Sequence, residues 1–144
     1  SVQKIEITKT EDVEKRNNLL EIFQVIDPEL VTSPAGYLDL FMLDHVRLAT
    51  PENAMVLDQL KHEIEIEDQR LEAEGKKKKS FRTQEGYALN RGGDAMVVQA
   101  ALCLGPKCIV ITRDLAMKRV CKSHSIQNAK PTTFLKMIAD NSLE

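Results

Sequence analysis

Apolar and polar positions change period several times along this chain. Val2, Ile5 and Ile7 alternate with polar and charged residues, which predicts a short opening strand. Val13, Leu19, Leu20 and Phe23 then fall at helical spacing behind Thr10 or Asp12 as cap. That helix must stop near Asp27-Pro28, because a residue before proline is pushed out of the α region. Residues 29–32 predict a second short strand. Pro34, preceded by Thr32 or Ser33 as cap, starts a helix with Leu38, Phe41, Met42 and Val46 facing inward.

Thr50-Pro51-Glu52 repeats the start signal, and a further helix runs through residues 55–74 until Gly75 and a lysine run end it. The stretch from Phe81 to Gly93 is polar and contains glycines, which predicts a loop. Asp94 is placed to open a compact helix that Gly105-Pro106 terminates. Residues 108–112 (CIVIT) form a continuous apolar run, the pattern of a strand buried on both faces of a parallel sheet. Arg113-Asp114 follows, then a helix through residues 115–124, a last short strand at Ser125-Ile126-Gln127, and a final helix capped by Thr132-Thr133. Strands alternating with helices predict right-handed crossovers and a parallel sheet. In such sheets the ligand site lies beyond the C-terminal ends of the strands, where Asp114 sits and where the helix opened by Asp94 begins.

Composition narrows the class. The chain has 144 residues, 42% hydrophobic and 29% charged, which fits one globular domain over residues 1–142. No apolar run approaches the ~20 residues of a spanning helix, and no basic-then-apolar leader opens the chain, so we expect neither membrane insertion nor secretion. Ser1 in place of Met leads us to expect a segment excised from something longer, with Leu143-Glu144 a cloning remnant. Three cysteines, Cys103, Cys108 and Cys121, are an odd number without a C-x-x-C pair, which points to reduced thiols in an intracellular compartment, cytoplasm or nucleus.

The formal net charge of −2 makes the domain as a whole a poor electrostatic match for nucleic acid. Its charges are nevertheless unevenly placed. An acidic and basic region spans about residues 63–93, with an acidic run to Glu74 followed by Lys76, Lys77, Lys78 and Lys79. Such a run is a solvated loop or a phosphate grip, and composition alone does not choose. Arg82, Arg91 and Arg113 flank the acids and either hold phosphates or solubilise the surface. His45, His62 and His124 are scattered without ligand spacing. No serine has a G-x-S-x-G setting, and no glycine-rich phosphate loop is present.

Taken singly, each acid has a structural explanation. Asp94 and Asp114 are good helix caps, and Asp39 fits the exposed face of its helix. Together they suggest more. Residues 92–124 (GGDAMVVQAALCLGPKCIVITRDLAMKRVCKSH) resemble the C-terminal half of the PIN-domain ribonuclease family, in which an Asp opens a helix, a buried strand follows, and Thr-x-Asp leads into the next helix. Asp94 and Asp114, twenty residues apart, occupy those places. Upstream, residues 31–41 (VTSPAGYLDLF) resemble the family's second strand and following helix, with Asp39 where Glu is commoner. The resemblance implies a three-layer α/β/α fold around a central, mainly parallel sheet.

It further implies Mg²⁺ or Mn²⁺ at Asp39, Asp94 and Asp114, which would be both metal ligands and catalytic groups of a metal-dependent endoribonuclease. Hard cations of this kind prefer carboxylate oxygens and activate water against a phosphodiester. Thr112 would hold a water or carboxylate behind them. Lys76–Lys79, Arg82, Arg91 and Arg113 would hold RNA. The family's first-strand acid is missing, since the corresponding position is near Thr8, with Glu6 and Asp12 outside any matching motif. A non-catalytic PIN-like module binding RNA or protein in a larger assembly is therefore the rival expectation. An unrelated small RNA-binding α/β domain is a third. Toxin-like relatives of this length also suggest a homodimer.

Overall fold

The computed structural model of the chain describes residues 7–8, 10–26, 50–78 and 83–140. Most of the opening strand, the second strand and the helix carrying Asp39 lie outside the described residues, as do Lys79 and Arg82. Within them, five helices and two three-residue strands follow in order. They are α1 (Val13–Ile26), α2 (Pro51–Ala73), α3 (Gln84–Leu104), β1 (Ile109–Ile111), α4 (Leu115–Ser123), β2 (Gln127–Ala129) and α5 (Pro131–Ala139).

The boundaries follow from local chemistry. Asp12 caps α1 by accepting the Lys15 backbone N–H at 2.9 Å. Thr50 caps α2 by accepting the Asn53 N–H at 3.2 Å, and Pro51 occupies the first turn, where no backbone donor is needed. Gly75, at φ +68°, closes α2 in the left-handed region while the Lys76 N–H bonds to the Leu71 carbonyl at 2.9 Å. Thr83 caps α3, and Gly105 at φ +85° ends it. Asp114 caps α4.

The core is a stripe from each of two long helices, closed by the strand pair and α4. Leu57, Leu60, Ile64 and Leu71 of α2 meet Ala95, Met96, Val98 and Ala101 of α3. Val110 of β1, Ile126 before β2, and Ala116, Met117, Val120 and Cys121 of α4 complete the cluster. The most extensive packing is α2 against α3, followed by α2 against α4. The strands pair in parallel, Ile109 opposite Gln127 and Ile111 opposite Ala129, with α4 as the crossover.

This corrects the expected architecture. Among the described residues helices dominate and the sheet has two strands, which is not a three-layer α/β/α PIN-like fold. The reason lies in what the long helices cover. They pack on each other instead of on opposite faces of a sheet, so little sheet surface needs burying. Accordingly only Val110 of β1 is buried, and Ile111 is exposed. The expected loop at 81–93 is corrected over its described part, because α3 begins at Gln84. Gly92 and Gly93 each cost a helix roughly 1 kcal/mol relative to alanine. Tertiary burial overrides that cost: Arg91, Gly92, Gly93 and Ala95 are all buried. Asp94 consequently sits inside a helix instead of at its start.

Candidate functional site

Charged residues converge where α2, α3 and α4 meet. Tyr87, Arg91 and Asp94 fall on one face of α3 at intervals of four and three residues. Asp68 comes from α2, Lys77 from the turn after it, and Asp114 from the start of α4. Arg91 is the centre. Its Nε donates to Asp68 Oδ2 at 2.6 Å and its Nη2 to Asp68 Oδ1 at 2.8 Å, a two-pronged grip on one carboxylate. Nη1 donates to Asp94 Oδ2 at 2.5 Å, and both terminal nitrogens reach Asp114 Oδ2, at 3.1 and 3.2 Å. A guanidinium carries five N–H donors, and each contact accounts for one.

Asp68 is equally saturated. Besides Arg91, its oxygens accept from the Tyr87 hydroxyl at 2.7 Å and from the Lys77 ammonium. The Arg91 guanidinium also lies over the Tyr87 ring, 5.8 Å from its centroid. The Arg91 and Asp68 side chains are 3% and 2% exposed, so this pair lives in a low-dielectric interior. Asp94 and Asp114 form the outer edge at 19% and 30%.

The titration behaviour follows. Burial pushes the Asp68 carboxyl up, but hydrogen bonds from Lys77 and Tyr87 and the Arg91 charge outweigh it, leaving it below its ordinary value. Burial works against a charged Arg91, and the carboxylates of Asp114, Asp94 and Asp68 overcome it, so the guanidinium is more basic than usual. The Tyr87 phenol is pushed up by burial and by the neighbouring Asp68.

Asp114 does two jobs. Its Oδ1 accepts the Met117 N–H at 2.9 Å as the α4 cap, while Oδ2 faces Arg91. Thr112 Oγ1 accepts the Asp114 N–H at 3.1 Å, so Thr112 fixes the backbone of the turn and not a carboxylate. Asp94 and Asp114 are thus brought together, as their spacing implied, but around an arginine. Asp39 lies outside the described residues. Asp68 escaped sequence reasoning, although a signal existed: it continues the apolar stripe Leu57, Leu60, Ile64, Leu71 at a core position.

The expected metal does not fit this arrangement. Arg91 occupies the centre that Mg²⁺ or Mn²⁺ would need, and it already uses Asp68, Asp94 and Asp114. Among the described residues no group of three or more His, Cys, Asp or Glu is arranged to hold an ion. The basic residues also divide. Arg91 is buried and Lys77 is held by Asp68, so neither is presented to a phosphate. Lys76 pairs with Glu74 at 2.7 Å. Lys78 and Arg113 are exposed.

The remaining reactive groups have ordinary roles. His124 Nε2 lies 2.6 Å from Glu63 Oε2. All three cysteines are free, and burial, with Cys108 nearby, pushes the Cys121 thiol up to about 11, away from reactivity at neutral pH. No described helix is long and apolar enough to cross a membrane. Comparison of the chain with family models, curated proteins and solved structures gives no match.

Proposed function

We propose that this chain is a non-catalytic RNA-binding module whose acidic cluster is structural. One observation carries the reading: every N–H of Arg91 is spent on Asp68, Asp94 and Asp114, so the acids that would make a hydrolytic centre are already neutralised from within. A divalent ion would have to displace a buried guanidinium held by three carboxylates. Binding capacity lies elsewhere, in cations that no described carboxylate pairs: Lys78, Arg113, Lys118 and Lys122. With a net charge of −2, a polyanion is held locally by such residues and not by the whole surface.

The test combines two measurements on the intact chain. Calorimetric titration with Mn²⁺, for wild type and Asp94→Asn, should give no saturable heat in either. Incubation of single-stranded RNA with Mn²⁺ should leave it uncut yet retarded on a native gel, with binding weakened by salt. Saturable Mn²⁺ binding that disappears in Asp94→Asn, together with metal-dependent cleavage, would restore the hydrolytic reading. Failure to retard RNA would overturn the binding reading.

A further inference from the structure

We infer that the hollow between α4, the end of α2 and β2 is a subsite for one unpaired nucleotide of single-stranded RNA. This rests on the RNA-binding reading above and gives it a place. The hollow has a volume of about 330 Å³ and is lined by Lys76, Lys118, Arg119, Lys122, Leu115 and Asn128, over Leu71.

Four of these side chains are cationic. Arg119 and Lys76 are tied to one acid, since Arg119 Nη2 lies 2.8 Å from Glu74 Oε2 and Lys76 Nζ 2.7 Å from the same oxygen. Lys118 and Lys122 have no carboxylate partner among the described residues. They stand one helical turn apart on α4, where side chains at i and i+4 share a face. The hollow therefore carries excess positive charge on a protein that is slightly negative overall, and that excess is what a phosphodiester backbone would meet.

A phosphate patch alone would not need the other lining. Leu115 is 43% exposed at the mouth, an aliphatic surface left in water beside ammonium groups. A nucleobase face laid on it would remove that surface from solvent while its phosphates met Lys118 and Lys122. Asn128 adds a polar edge. Its Nδ2 donates to the Ile126 carbonyl at 3.3 Å, and its Oδ1 has no hydrogen-bond partner among the described residues, which leaves an acceptor for a base N–H. A duplex offers phosphates but keeps its bases stacked and paired, so it cannot place one in a hollow of this size. Unpaired RNA can. The same three features would not select an acidic peptide, which has no planar apolar face to set against Leu115.

The experiment is fluorescence anisotropy of a labelled single-stranded RNA oligonucleotide of mixed sequence against the full chain across a salt series. Lys118→Ala/Lys122→Ala should weaken binding by roughly ten-fold or more and flatten the log–log salt dependence by about two, one for each lost phosphate contact. Leu115→Ala should weaken binding several-fold and leave the salt slope unchanged. Duplex RNA should compete poorly. Matching thermal melts would show that these variants fold.

If wild type binds RNA and the double variant binds equally well, the hollow is the wrong place, although the RNA-binding reading survives. If Leu115→Ala behaves as wild type, or duplex competes equally, the nucleotide assignment falls and only an anion patch is left. If wild type binds no RNA, both readings fall. Displacement of the RNA by a phosphopeptide at lower concentration than by RNA itself would reassign the ligand class and overturn the inference.

Discussion

Arg91 and Arg119 each gather carboxylates from outside their own helical turn. Arg91 holds Asp68, Asp94 and Asp114, while Arg119 reaches Glu67 at 3.2 Å and Glu74 at 2.8 Å. Each ion network joins α2 to α4 through similar chemistry, and each arginine is made more basic by its neighbours. Burial separates them, at 3% exposure for the Arg91 side chain and 34% for that of Arg119. In the interior a charge stripped of water must have its partners, and removing one leaves the others uncompensated. At the surface, water and salt take over whatever the partner gave. The inner network therefore specifies how three helices meet, while the outer one leaves its cations within reach of a ligand.

The sharpest break of this comparison is Arg91→Met, which keeps the length of the side chain and removes its charge. Asp68 would keep Lys77 and Tyr87, but three carboxylates would lose their common cation. The expected loss is about 3–5 kcal/mol, the range for breaking a buried ion pair. In a domain of this size that should lower the thermal midpoint by on the order of 10 °C. A midpoint within a degree or two of wild type would mean that the cluster is solvated and that the acids are free for other chemistry.

A smaller effect separates the same regions by pH. Asp68 has its folded-state pKa held below the usual value near 3.8. Its contribution to stability is therefore complete above that value and is lost as pH falls through the folded-state pKa. Chemical denaturation at several pH values below 4 should show wild type losing stability more steeply than Asp68→Asn. The variant itself should be weaker at neutral pH by about 2 kcal/mol, the cost of a poorly satisfied buried polar site. Parallel pH profiles for the two proteins would remove Asp68 from the inner network.

These residues also show what could be read in advance. The helices at 13–26 and 51–73, the strand at 109–111 and the helix at 115–123 were legible because caps, prolines and a change of period mark their ends. Asp94 and Asp114 were legible as a converging pair from their places around a strand. Arg91 was not, because an arginine within a polar, glycine-containing stretch has the local pattern of a surface loop. Burial of Gly92 and Gly93 against the long helix α2 is a long-range effect that no local propensity carries. Asp68 was hidden in an acidic run whose neighbours, Glu65 and Glu72, are less buried. Only its register with Ile64 and Leu71 along the buried stripe separates it from them.

The smallest expected effect on stability is at the outer network, and it sharpens the comparison most. Arg119→Gln should leave the urea midpoint indistinguishable from wild type, because the groups it pairs with remain hydrated. The same change should nevertheless weaken RNA binding. Hydrogen bonds from Arg119 and then Lys76 hold the Glu74 carboxyl down to about 2, so Glu74 is ionised at any pH near neutral and stays ionised without Arg119. Losing Arg119 removes a positive charge beside the hollow and exposes the negative one it had been covering. Anisotropy and denaturation on one preparation would then disagree in direction: affinity falls while stability holds. A fall in both would place Arg119 with Arg91 as part of the scaffold, and a fall in neither would remove it from the binding surface.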